Sequence, residues 1–567
     1  MPSEDAAGGL DDAAVRKALD ELLAWEPMRR SPQLAAFLRY IVEARLDGDE
    51  ANLKAYSIAV DVLGRGEDFD PQTDPIVRVQ ARRLRNLLSA FHESGEGQGA
   101  VRIVLPVGRY VPQFIPVESK TQPAPVRPGG AVRGSTWIVG AAAIVLLMAA
   151  IVFWPDLAER TGRLADLGQP LPPLVLVEEF ENLASDEQGT PLVAGLAVEM
   201  VTDLNQFPDV VARYGGARAA LSPAEIALDM PVYLLSGVAR RVAQGVQYGI
   251  VLTDGDTGAT LANHDLAVAL VNEVPMMSID DVARYFVMRL ASPRSVLHAP
   301  VRAWLAENDT VPLALYPCLA AYWHYREGPE ADANRVKGCA EKLAATEPDA
   351  RAVLASLLAD AAWDEGAETE EGREIIAEAR ALAESARDED PTREMAWMAL
   401  ARAAFFSGEL LTARDNFHSA YQLNPASADI VAGYAQVLGH IGNWESAMRL
   451  SDEIRAAESD PPAWFHLTPA LHALRMGDYA EAADHARLSL PAHRDMSLAI
   501  LVAAGGQMRN RDLIDAYLPQ LLAGQRFRRM GILPTLRYLI SDTELLRQFS
   551  LGIANAGVPL DRLARPF

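Results

Sequence analysis

Four arginines stand within eight positions of the stretch VRVQARRLR: Arg78, Arg82, Arg83 and Arg85. A guanidinium keeps its charge in proteins and offers a planar fork of donors, which suits phosphate oxygens and the edge of guanine. At about 100° per residue, Val77, Ala81, Leu84, Leu88 and Phe91 share one stripe, with Arg78, Arg82 and Arg85 on its flank. The spacing predicts a helix with a core side and a basic side, begun by the cap Asp74 and by Pro75 at its first turn. A solvated flank is the plainer use of such charge, and a polyanionic partner the sharper one. The second chemistry-bearing pair is Cys318 and Cys339, the two cysteines of the chain. In a reducing compartment they are small core residues; outside it they suggest a disulfide.

The charge around these residues is uneven. The 567-residue chain has a formal net charge of −24, yet residues 78–133 hold nine basic and three acidic side chains. Residues 155–567 carry 35 Lys+Arg against 57 Asp+Glu, so the acidity lies mostly there. Between the two parts, Thr136 to Trp154 is a run of 19 uncharged residues, enough to cross a hydrocarbon core of roughly 30 Å. Trp137 and Trp154 stand at its ends, and Arg133 and Asp156 close it. This predicts a single transmembrane helix over 135–154, after a Pro/Gly-rich linker at 118–134 and before a second linker at 155–171. The flanking basic residues favour a cytoplasmic N-terminus, which puts the C-terminal part in the periplasm across an inner membrane.

Helical spacing at 12–25 and 32–46, a short helix ending at Gly64, the arginine helix and an alternating hairpin over VRIVLPVGRYVPQF predict an α+β domain over 1–117. With YSIAVDVLGR, DPIVRVQARRLRNLL and VRIVLPVGRYVP in that order, it resembles the winged helix-turn-helix domain of OmpR/PhoB-type regulators. The resemblance implies double-stranded DNA as partner, a homodimer on DNA, and contacts from Arg78, Arg82, Arg83 and Arg85, with Arg102 and Arg109 on the wing. Two departures stand out: the region begins with helices where that family has a small β-platform, and Arg109 replaces the glycine before the wing tyrosine.

Residues 172–297 read as strand, amphipathic helix, three strands parted by Gln-Gly and Asp-Gly-Asp-Thr-Gly turns, and a closing helix: an α/β sandwich. Phe180, Asn182, Leu183, Gly195 and Leu196 resemble the TolB N-terminal-like domain, with Glu179 where that pattern has proline. From about residue 300 nearly all the sequence is helical. Gly408 and Ala413 recur 34 residues later as Gly442 and Ala447, then 35 further on as Gly477 and Ala482; Ala379, Ala386 and Pro391 precede Ala413, Ala420 and Pro425 by 34. Small residues are needed where two helices of a hairpin approach closely, and this period resembles tetratricopeptide repeats. Four or five hairpins are expected over 298–525, forming an all-α solenoid with a concave face for a peptide or protein partner. A helical tail would follow at 526–567.

No phosphate-binding loop, zinc-protease helix, nucleophile elbow or paired cysteines at zinc spacing occurs, and TDGDTGA at 253–259 reads as a hairpin turn rather than a calcium loop. No cofactor, no metal and no enzyme are expected. The architecture as a whole resembles membrane-anchored regulators of the ToxR/CadC layout, which implies transcriptional regulation through a sensing C-terminal part. The alternative is a membrane-tethered repeat scaffold whose N-terminal domain contacts proteins.

Overall fold

In this computed structural model the described residues are 12–29, 32–48, 53–62, six positions between 77 and 91, 101–105, 110–116, 168–183, 193, 195–216, 230–243, 245–271, 274–327, 333–458 and 461–566. They fall into two compact units, one of residues 1–71, 80–171 and 220–230, the other of 72–79, 172–219 and 231–567.

The first unit holds helices Asp12–Ala24, Glu26–Arg29, Pro32–Leu46 and Ala55–Asp61, and an antiparallel pair of strands, β1 (Val101–Val104) and β2 (Gln113–Pro116). Alternation along β1 buries Val101 and Ile103 and leaves Arg102 exposed opposite Ile115. The expected stripe is buried as drawn: Val77, Ala81, Leu84, Leu88 and Phe91 are helical and all at most 5% exposed. Phe91 meets the Trp25 ring edge-on at 5.3 Å, fastening the arginine helix to the junction of the first two helices.

The second unit begins with a seven-stranded sheet. Its strands are β3 (Leu174–Glu178), β4 (Glu181–Asn182), β5 (Val211–Gly216), β6 (Val232–Val242), β7 (Gly245–Asp254), β8 (Thr260–Val271) and β9 (Val274–Pro275). Their order is β5-β3-β6-β7-β8-β9, with β4 alongside β6. β3 is parallel to both its neighbours, and β6 to β9 form an antiparallel meander. Helices Leu196–Leu204 and Ile279–Leu290 cover one face, where Met200 and Phe286 join Val175, Leu235, Tyr248 and Ile250 in a single core. The Asp-Gly-Asp-Thr-Gly segment is the β7–β8 turn: the Asp254 carboxylate accepts the backbone N–H of Thr257 at 2.7 Å and the Thr257 hydroxyl at 2.7 Å. Asp254 thus closes the turn that its sequence pattern implies.

Helices follow in antiparallel pairs, six among the described residues: 315–327 with 333–343, 348–365 with 370–389, 394–406 with 410–423, 428–440 with 444–457, 467–476 with 479–489, and 494–508 with 511–523. The first helix of a pair is enclosed on nearly every side, as in Glu394–Phe406; the second is one-sided, as in Trp444–Ala457. Between them the chain turns through a left-handed residue: Gly408 (φ 75°), Gly442 (φ 89°) and Gly477 (φ 89°). The last pair turns on Arg509 (φ 52°) instead. Ala379, Ala413, Ala420, Ala447 and Ala482 are all fully buried, as close helix approach requires.

The fold class drawn from the sequence needs correction. No helix among the described residues is long and apolar enough to cross a membrane, and the expected single-pass inner-membrane, cytoplasm-to-periplasm placement finds no support in them. The segment 135–154 lies outside the described residues. The longest described helix, Glu370–Glu389, has the 20 residues of a span but is lined with glutamate and arginine. What the structure shows is a helical solenoid-like array with a sheet before it.

Cys318 and Cys339 lie on the two helices of the first pair, fully buried, with Cα atoms 5.8 Å apart and joined as a disulfide. Closing this 21-residue separation stabilises the first pair by about 3 kcal/mol, so urea unfolding with and without reductant should differ by that amount. Equal midpoints would show that the bond contributes nothing.

Candidate functional site

The sheet and the helical array are joined at Arg294, in the segment leaving helix Ile279–Leu290. Its guanidinium lies 3.6 Å from Glu327, 3.6 Å from Asp429 and 3.4 Å from Glu458, and 5.4 Å above the Phe465 ring. Those three carboxylates come from three separate array helices or their ends. Burial pushes the Asp429 carboxyl up, and Arg294 opposes it. Apolar contacts run across the same junction: Met288 belongs to the array core and Ala426 to the sheet core.

Asp209, in the loop between Leu196–Leu204 and β5, faces a small cavity at this junction lined by Phe207, Trp323, Met395 and Asp429. Burial pushes its carboxyl up to about 7; the charges of Asp349 and Asp429 add to the rise, and bonds from its own backbone and Trp323 oppose it.

The C-terminal chain crosses the turns of the array one after another. Arg526 and Arg529 meet Glu368, just past the turn of the second pair, at 3.5 and 2.6 Å. The Tyr538 hydroxyl donates to the Phe406 carbonyl at 3.1 Å and lies against Gly408. One pair further, the Ser541 N–H donates to the His440 carbonyl at 2.9 Å, and His440 Nδ1 donates to the Leu539 carbonyl at 2.6 Å. Asp542 accepts from Trp444 Nε1 at 2.9 Å and from Arg475 Nε at 3.1 Å, while capping its own helix through the Leu545 N–H. At the next turn Tyr479 donates to Gln548 at 3.1 Å. Helix Thr543–Asn555 then packs on Arg494–Met508 backbone to backbone: a Cβ added at Gly552 would lie 2.3 Å from the Ala503 carbonyl oxygen.

Helix pairs stacked at a period of 34–35 residues, turned on left-handed glycines and packed through alanines, form one repeated unit. Residues 407–468 match the family model of the tetratricopeptide repeat. The match covers the pair around Gly442 with its flanks, and neither the N-terminal region nor the sheet is matched by a family model. No curated protein matches the chain.

The residues singled out for DNA have a mixed placement. Arg85 turns inward: its Nε donates to the Leu105 carbonyl at 3.1 Å, tying the helix to the end of β1, and burial lowers its pKa. Arg102 is exposed on β1. Arg78, Arg82, Arg83 and Arg109 lie outside the described residues. The site residues that sequence reasoning missed are Arg294, Asp209, Arg526 and Asp542, all engaged across long stretches of chain. In the repeat region the basic run QRFRRM was the one available signal.

Two predictions follow from this geometry. Asp542→Ala leaves a Trp444 N–H and the Arg475 cation without their acceptor and should cost about 3–5 kcal/mol, read by urea unfolding. A loss under about 1 kcal/mol would mean that the tail is not bearing on the repeats. For Asp209 the folded pKa of about 7 exceeds the ordinary 3.8, so its contribution is fully present below 3.8 and is lost as pH rises to 7. Buried neutral His298, His440 and His493, lowered to about 3, about 4 and about 3, tilt stability the opposite way at acid pH. The difference between wild type and Asp209→Asn isolates the carboxyl: the wild type should lose up to about 1.4 kcal/mol per pH unit relative to the variant across pH 4–7.

Proposed function

We propose that this chain is a non-catalytic scaffold that holds protein partners on its tetratricopeptide array. The repeat match at 407–468 carries the reading, because stacked helix hairpins of this kind expose long surfaces suited to protein segments. Two features refine it. The side of the array facing the C-terminal chain is already occupied by Ile532, Leu536, Leu539 and Ile540, all at most 5% exposed. Partners are therefore taken by the outward second helices and the hairpin turns, where Leu411, Met476 and Leu488 are 60%, 58% and 53% exposed. Residues 155–567 carry an excess of 22 acidic over basic side chains (57 against 35), so a basic partner with apolar anchors is the complementary one.

DNA binding loses ground here: Arg85 serves the packing of its own domain, and the comparison with known families supports the repeats alone. The test uses the intact chain. Crosslinking in cells followed by mass spectrometry should recover a defined set of proteins, lost on combining Leu411→Asp with Leu488→Asp while the melting temperature stays the same. Retention of the whole set by that variant would reject the proposed surface. Salt-dependent retardation of DNA, abolished by Arg102→Ala, would reject the scaffold reading itself.

A further inference from the structure

Within the face built by the first helices of the pairs, one arginine has no counter-group of its own. Arg326, near the end of helix Leu315–Glu327, has neither ion pair nor hydrogen bond among the described residues, although it is only partly exposed. Its guanidinium stands over the Trp464 ring, 4.8 Å from the centroid. Burial depresses its pKa and the like charge of Arg402 adds to the effect. An arginine in a protein does not shed its proton, so this charge persists. The carboxylates of Asp360 and Asp429 act on it through space, but each is bonded to a different arginine: Asp360 to Arg402, and Asp429 to Arg294.

Neutral donors close by are unspent as well. Trp464 Nε1 and the Tyr322 hydroxyl are buried without a hydrogen-bond partner, and Tyr322 interacts electrostatically with both Arg326 and Arg402. The residues holding them are 5% and 0% exposed. His493 Nε2 is likewise unpartnered, and the ring is influenced by both arginines. Indole and guanidinium N–H groups can only donate, so Trp464 and Arg326 each still call for an acceptor. Buried polar atoms in folded proteins are almost always satisfied, by protein, by water or by an ion.

We infer that this inner face binds a small oxyanion, a phosphate or carboxylate group, held by Arg326 over the Trp464 ring, with Trp464 Nε1 and the Tyr322 hydroxyl as the further donors. A forked guanidinium meets two oxygens of such a group at once, and the indole and phenol supply single bonds to its remaining lone pairs. The size is set by what else occupies the face. The C-terminal helices bury Leu536 and Leu539 there and bond to His440, so an extended peptide has no room to lie along it. A free phosphate compound or a small carboxylate remains, and this inference does not depend on the scaffold reading.

The experiment uses the full chain in chloride buffer, with sodium phosphate or sodium acetate added at matched ionic strength, and follows the melting temperature and the heat of titration. Millimolar phosphate should raise the melting temperature by about 2 °C or more. Arg326→Gln should melt no lower than wild type in chloride, because it removes a cation that faces Arg402, and should lose the increment. Trp464→Phe, which keeps a ring under Arg326 but removes the N–H, should diminish it and serves if Arg326→Gln does not fold. A response to phosphate above acetate marks a phosphate compound, and a response to acetate at least as large marks a carboxylate; both support the site. No response to either beyond chloride, or the same increment in Arg326→Gln and Trp464→Phe, overturns the inference.

Discussion

Arg294 is the contact on which the second unit depends. Its side chain is 18% exposed and draws on Glu327, Asp429 and Glu458, so a single cation brings together the exit of the sheet domain and three parts of the helical array. Such a cluster adds little net stability, since taking charges out of water offsets most of their attraction. What it adds is uniqueness. Any other placement of the sheet against the repeats would leave a largely buried guanidinium, or buried Asp429, without its counter-charge, and that costs several kcal/mol. The apolar exchange of Met288 and Ala426 between the two cores then fills in around a geometry already fixed.

The repeats meet their own chain before they meet anything else. First helices such as Glu394–Phe406 are buried on nearly every side and need covering beyond what their neighbours provide. The helices at 525–555 give that cover with Phe527, Leu536, Leu545 and Phe549, all at most 1% exposed. The one-sided second helices keep their polar side open to solvent. This division gives the array one covered face and one open face, and the proposed partner surface lies on the open one.

Local signals carried much of this architecture. The helix at 32–46 has the bounds its apolar spacing foretold, the arginine helix buries its stripe, and Asp254 makes the turn that Asp-Gly-Asp-Thr-Gly announces. The 34-residue period was legible because glycine and alanine are forced at the turn and at the helix crossing. Where the pattern loosened, the count fell short. Arg509 holds a left-handed turn without glycine, and helices Pro348–Glu365 and Glu370–Glu389 are longer than their counterparts, so six pairs stand where four or five were expected. β5 went unseen, since its six residues gain their strand character from pairing beside β3 rather than from their own alternation. The site was the least legible part. Arg85 shows why: spacing places a guanidinium on a helix flank, but only the neighbouring β1 carbonyl decides that it points inward. His440 meets Leu539 across 99 residues, and no periodicity records such a meeting.

The C-terminal crossing of successive turns changes the mechanics of the repeats. An ordinary stack of hairpins behaves as a spring, each joint yielding on its own and the ends fraying first. Here the coils are stitched along one edge by Tyr538, Ser541, Asp542 and Gln548, so the pitch is locked and a pull at any hairpin is shared by the rest. Residues 538–548 are thus the thread that turns a compliant coil into a stiff block.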